Sequence, residues 1–151
     1  MKYMLDSNCF DKVLELGINL PSFVNRYIGE TKIIVTHIQY DEIYRIPDNR
    51  MDYKFDLLAL FNDLSCEVVE TEGFVQDTSR LGLAKLFSND NLEKFLLLAK
   101  NENHINDSLI AVTSNFHKAT LVTADVFLLK NCKEAGIEAI HWDKFINLHP
   151  I

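Results

Sequence analysis

The chain has 151 residues, of which 48% are hydrophobic and 25% charged, with a formal net charge of −7 at pH 7. That balance belongs to a folded globular chain and excludes disorder, a collagen repeat and a coiled coil. The length suits a single domain over residues 1–151, with a sizeable core. The acidic balance argues against nucleic-acid binding by bulk charge, which needs a basic stripe. Either nucleic acid is not the partner, or the acids are concentrated where they hold cations and the basic residues surround them.

In chain order, Lys2–Leu5 reads as a buried strand. Residues 9–16 and 21–29 read as helices, with Gly17 and Gly29 as candidate C-caps. Lys32–Val35 is a β-branched strand. Thr36-His37-Ile38-Gln39 matches a capping box opening a helix towards Pro47. Residues 52–64 place Phe55, Leu57, Leu58, Leu60, Phe61 and Leu64 mostly along one helical face. Cys66–Val69 is a third strand, and residues 73–87 and 90–102 read as two helices broken around Ser88-Asn89-Asp90. Asn106-Asp107-Ser108 opens a helix to about Phe116. Thr120–Thr123 is a strand, 126–134 a helix, and Ile137–Ile140 a last strand after a turn at Gly136. Strands alternating with helices imply βαβ crossovers and a parallel sheet covered by helices. Ligands in such folds bind outside the carboxyl ends of the strands.

Two acids fall on that rim. Asp6 follows the first strand, and Asp125 follows Leu121-Val122-Thr123 after the spacer Ala124. Glu42, on the helix after the second strand, and Asp107, at the start of the helix before the Asp125 strand, can face it. Singly, each has an ordinary explanation. Asp6 and Asp125 suit N-caps, Asp107 suits a helix first turn (with Asn106 as an alternative cap), and Glu42 suits a solvated face. Together, four converging carboxylates repel one another, and burial raises their pKa values. A divalent cation relieves that repulsion, and oxygen-only ligands select hard ions such as Mg²⁺ or Mn²⁺. The reaction class is metal-assisted hydrolysis of a phosphodiester, with an activated water as nucleophile.

Met4-Leu5-Asp6-Ser7-Asn8, Glu42, Asn106-Asp107-Ser108-Leu109-Ile110-Ala111 and Leu121-Val122-Thr123-Ala124-Asp125 resemble the four acidic blocks of the PIN domain, in order and near the family's spacing. The resemblance covers essentially the whole chain. It implies a three-layer α/β/α sandwich around a central, mostly parallel sheet. It also implies a Mg²⁺- or Mn²⁺-dependent endoribonuclease of the VapC toxin type. Asp6, Glu42, Asp107 and Asp125 are then the catalytic, metal-binding acids. Ser7, Asn8, Asn106 and Thr123 orient carboxylates or waters. The family often carries a polar residue where Ala124 stands, and Phe127 supplies its aromatic. The implied partners are an RNA substrate, an antitoxin whose tail blocks the acids, and a second copy in a homodimer. Residues 73–104 match no block and read as a family-variable helical region.

Other chemistries are poorly supported. The glycines are isolated, so no phosphate-cradling loop exists, and neither a GxSxG elbow nor an HExxH helix occurs. His37, His104, His117, His141 and His149 share no metal-ligand spacing and are expected at or near the surface. Asp6-Ser7-Asn8 also resembles phosphotransferases with an aspartyl nucleophile, although Asn8 stands where they need a second Asp. Arg45, three residues after Glu42, is a candidate substrate contact, with Arg50, Lys54, Lys85, Lys118 and Lys130 as further basic candidates. Tyr40, Tyr44 and Tyr53 suit either base stacking or a core. Phe23, Val24, Tyr27 and Ile28 suit a subunit interface, an antitoxin surface or the core. A chain that keeps the fold but no longer cleaves, acting as a protein- or RNA-binding module, is the alternative function. Cys9, Cys66 and Cys132 form no zinc or redox motif and read as reduced thiols of a cytoplasmic chain. The apolar runs are too short to span a bilayer, and Asp6 interrupts the first too early for a secretory signal.

Overall fold

The computed structural model describes residues 1–27, 31–100 and 104–148. Its centre is a five-stranded sheet in which every pairing is parallel. In chain order the elements are β1 (Lys2–Leu5), α1 (Ser7–Glu15), α2 (Leu20–Tyr27), β2 (Lys32–Val35), α3 (His37–Tyr44), a 3₁₀ turn (Asp48–Arg50) and α4 (Met51–Asp63). Then come β3 (Glu67–Val68), β4 (Thr71–Glu72), β5 (Ala84–Lys85), α5 (Asn89–Leu98), α6 (Ile105–Phe116), β6 (Thr120–Thr123), α7 (Val126–Glu134), β7 (Ala139–His141) and α8 (Trp142–Leu148).

The strands form because their residues are apolar on both faces, as a sheet covered on both sides requires. Alternation sends Tyr3, Leu5, Ile33, Val35 and Val122 into one core, with Phe10, Phe23, Phe61 and Phe145 from the helices on that side. Met4, Ile34 and Leu121 enter the other, with Phe95, Leu98, Leu109–Val112 and Cys132. The result is the expected α/β/α sandwich. Among the described residues no helix is long and apolar enough to cross a membrane.

Strand order is β3-β2-β1-β6-β7. The chain moves outward through β2 and β3, then returns to β6 on the other side of β1. The order therefore reverses between β1 and β6, which opens a crevice at their carboxyl ends. The residues beside that crevice are Asp6 and the segment Thr123–Asp125.

Several local expectations hold in detail. The capping box at Thr36 and Gln39 is present. Gly17 and Gly136 take positive φ at helix ends, as αL C-caps do. Others need correction. Residues 73–87 are not a helix. Gly73, Asp77 and Gly82 all have positive φ, which no α-helix admits, and the segment loops out so that β4 and β5 pair in parallel. On α4, Phe55 is 59% exposed and leaves the apolar face. The last strand starts at Ala139, two residues later than expected, and α8, not anticipated, covers the first core with Trp142 and Phe145. Of the interface and core readings for α2, the core holds for Phe23, which is buried, and for Val24, which packs against it. The Tyr27 side chain, Ile28, Gly29 and His149 lie outside the described residues. His37 is 3% exposed, not a surface histidine, because it opens α3 directly beneath the loop carrying Thr78.

Candidate active site

Asp6 is fixed by three donors. The Ser7 backbone N–H donates to Oδ1 (2.8 Å), while Asn8 Nδ2 (2.9 Å) and the Thr123 hydroxyl (2.8 Å) donate to Oδ2. Thr123 Oγ1 in turn accepts the Asp125 N–H at 3.0 Å. The Asn8 carbonyl accepts the Ala124 N–H at 3.1 Å, so backbone supplies a contact at the position where the family often has a polar side chain. β1 and β6 are thus tied together beyond the last ladder bond, with Asp6 and Asp125 on neighbouring strand ends.

Glu42 approaches from α3. Ser7 Oγ donates to its Oε2, and Asn106 Nδ2 to its Oε1 at 3.2 Å. Asp107, half-buried in the first turn of α6, stands next to Asn106. A continuous hydrogen-bonded path thus joins Asp125, Thr123, Asp6, Ser7, Glu42 and Asn106.

The electrostatics follow from burial and like charge. Asp6 is 4% exposed. Burial, with Asp107 and Glu42 adding repulsion, pushes its carboxyl up to about 7 against the lowering effect of Thr123 and Ser7. Burial, then the charges of Glu42 and Asp125, push Asp107 up to about 6. No cation is among the groups acting on either acid. Asp6 thus feels Asp107 and Glu42, and Asp107 feels Glu42 and Asp125.

The ordinary roles are also filled. Asp6 caps α1, and Asp125 caps α7 through the Phe127 and Leu128 N–H groups at 2.7 and 3.1 Å. Glu42 is half-buried, not solvated. Among the described residues no three His, Cys, Asp or Glu side chains stand close enough to share one ion. The Asp6, Glu42 and Asp125 carboxylates are instead each turned to neutral donors. The donor set still suits a hard divalent cation, being oxygen-only, multiply anionic and held by neutral partners.

Arg45 does not join the acids. α3 ends at Tyr44, and the exposed Arg45 faces a separate cleft with Asp41, Thr78 and Arg80. Tyr40 packs edge-on against Phe61, as a core aromatic does, while Tyr44 is exposed. Three other residues named from the sequence do stand beside the acids. Phe127, 78% exposed, lines a small cleft with Asp107, Asp125 and His104. Arg50 and Tyr53 line a larger cavity with Ser7 and Glu42. The three-residue separation of Arg50 and Tyr53 on a helix start was the available signal.

No family model and no curated protein matches this sequence. Solved structures do match. A chain of VapBC2 from Rickettsia felis, solved bound to a DNA fragment from its promoter, superposes with a TM-score of 0.59 at 19% identity, over 95% of this chain and 100% of that one. PAE2754 from Pyrobaculum aerophilum gives 0.60 at 14% identity, over 98% and 97%. A chain of VapBC-1 from nontypeable Haemophilus influenzae gives 0.58 at 15%, over 95% and 99%. With the α/β/α layers, the 3-2-1-6-7 strand order and these likenesses, the chain has the PIN-like fold seen in VapBC structures.

Proposed function

We propose that this protein is a metal-dependent endoribonuclease that hydrolyses RNA phosphodiester bonds at the rim formed by Asp6, Glu42, Asp107 and Asp125. The observation that carries the reading is the gathering of four mutually repelling acids around the β1/β6 crevice, with Ser7 and Asn106 holding Glu42 to it and Asp107 and Asp125 lining one cleft. A fold gains nothing from such repulsion unless a ligand relieves it. The resident ion would be Mg²⁺ or Mn²⁺, held by these carboxylates.

When bound, a divalent cation supplies charge that activates a water and stabilises the transition-state phosphate. The chain's own part is orientation. Thr123 and Asn8 fix the Asp6 carboxyl, Ser7 and Asn106 fix Glu42, and the Phe127 and Leu128 N–H groups fix Asp125. The likeness to VapBC chains supports a toxin whose partner is an antitoxin, and a homodimer is the assembly expected of it. A basic antitoxin side chain would pair with the acids and compete with the cation.

The test is cleavage of a mixed RNA pool with Mn²⁺ or Mg²⁺, against EDTA and against Asp107→Asn. Metal-dependent cleavage that the variant loses supports the reading, and equal cleavage by the variant refutes it. The dispersal of the acid side chains among neutral donors favours one second reading, a PIN-like binding module that does not cleave. That reading requires no thermal stabilisation by Mn²⁺.

A further inference from the structure

Beside Ser7 and Glu42 lies a cavity of about 350 Å³, floored by Phe10, Leu57 and Phe61. Its charged lining is Asp11, Glu15, Glu42 and Arg50. The three carboxylates already have donors. Asp11 accepts the Tyr53 hydroxyl at 2.5 Å, Glu15 pairs with Lys12 at 2.9 Å, and Glu42 is held by Ser7 and Asn106. Arg50 differs. Its guanidinium carbon lies 4.5 Å from the centroid of the Tyr53 ring, and among the described residues it pairs with no carboxylate. Stacking holds the planar group in place and leaves its N–H fork free. Tyr53 is itself anchored by Asp11. The guanidinium is therefore pre-positioned, and the anion it suits must come from a ligand.

We propose that Arg50 is the residue that binds a backbone phosphate of the RNA strand, one that enters the cavity beside the acids. The proposal rests on the ribonuclease reading and replaces Arg45, which opens onto a different cleft, as the basic contact. A guanidinium fork matches phosphate in two parallel hydrogen bonds. Ile46 and Tyr53, partly exposed in the same cavity, give the adjoining base an apolar surface.

The experiment measures KM and kcat for a single-stranded RNA oligonucleotide with Mn²⁺ across a salt series, for the wild type, Arg50→Ala, Arg50→Lys and Arg45→Ala. Arg50 is exposed, so each variant should unfold near the wild-type temperature, and Mn²⁺ should stabilise all of them equally. Arg50→Ala should raise KM roughly tenfold or more. It should also flatten the slope of log KM against log salt by about 0.7, the value for one phosphate contact on a single strand. Arg50→Lys should restore the slope but not the whole of KM, because an ammonium has no fork. Arg45→Ala should change neither. Wild-type cleavage with an unchanged KM and slope in Arg50→Ala overturns the proposal and leaves the ribonuclease reading standing. A lower KM in Arg50→Ala also overturns it, since the cavity would then favour a cationic ligand. A wild type that neither cleaves nor binds the oligonucleotide overturns both.

Discussion

Asp6→Asn should raise the stability of the metal-free protein at pH 8 and lose that advantage at pH 4.5. The Asp6 carboxyl moves from an ordinary value of 3.8 to about 7 on folding, chiefly through burial. At about 1.4 kcal/mol per pH unit, ionising it in the folded chain costs about 4 kcal/mol more than in the unfolded chain. Between pH 4 and 7, roughly, the folded state holds a proton that the unfolded state has released, so stability falls as pH rises and levels off above 7. Asn removes that cost but has one acceptor oxygen in place of two. It must forfeit either the Ser7 N–H bond or those from Asn8 and Thr123, at about 1 kcal/mol each. The net gain at pH 8 is about 2 kcal/mol, which raises Tm by roughly 4–8 °C for a chain of this size. At pH 4.5 the folded wild type is already protonated while the unfolded carboxyl is still mostly ionised, so only about 1 kcal/mol of the gain remains and the lost hydrogen bonds cancel it. Thermal unfolding in EDTA, followed by circular dichroism at both pH values, reads that loss. A variant less stable than the wild type at pH 8, or one whose Tm difference is the same at both pH values, would refute the assignment of Asp6 as an uncompensated buried acid.

The other predictions concern the metal and the scaffold. Saturating Mn²⁺ at a hundred times its dissociation constant should add about 2.7 kcal/mol to wild-type stability. It should add far less to Asp107→Asn, as differential scanning fluorimetry would show. The effect should weaken from pH 8 to pH 5, as protons compete for Asp6 and Asp107, which titrate at about 7 and about 6. Gly73→Ala should destabilise by about 2–5 kcal/mol. Its Cβ meets the Phe87 ring at 2.1 Å and its φ is +114°. Gly82→Ala, with φ +80° but open space, should cost only about 1–2 kcal/mol; equal urea midpoints for the two would contradict this ordering. Thr113→Val removes the acceptor at 2.9 Å for the buried Glu72 N–H and should cost about 1–3 kcal/mol, measured by urea denaturation.

Most of the sandwich was legible in the residues of its strands. Four-residue apolar strands such as Lys2–Leu5 and Lys32–Val35 can be buried on both faces only between two helical layers, so their character dictates the architecture. Local chemistry also set the boundaries it controls, as at the Thr36 capping box and at Gly17 and Gly136. The segment 73–87 was illegible for a matching reason. Its apolar residues mimic helical spacing, but Leu81 and Leu86 are largely exposed, and the pairing of β4 with β5 overrides the period. Asp6 and Asp125 could be located on the strand-end rim because strand direction fixes where a following residue falls, whereas Glu42 and Asp107 sit on helices and reach it only through packing. Their mutual repulsion was expected from the converging carboxylates, but its size was not legible, because it depends on burial and on the return of β6 beside β1. Tertiary structure alone decided which arginine stands beside Glu42. Sequence spacing pointed to Arg45, yet the turn at Asp48–Arg50 brings Arg50 over Tyr53 and into the cavity that Glu42 lines. A side chain's direction at the end of a short helix is set by what the next turn packs against, and that information is not local.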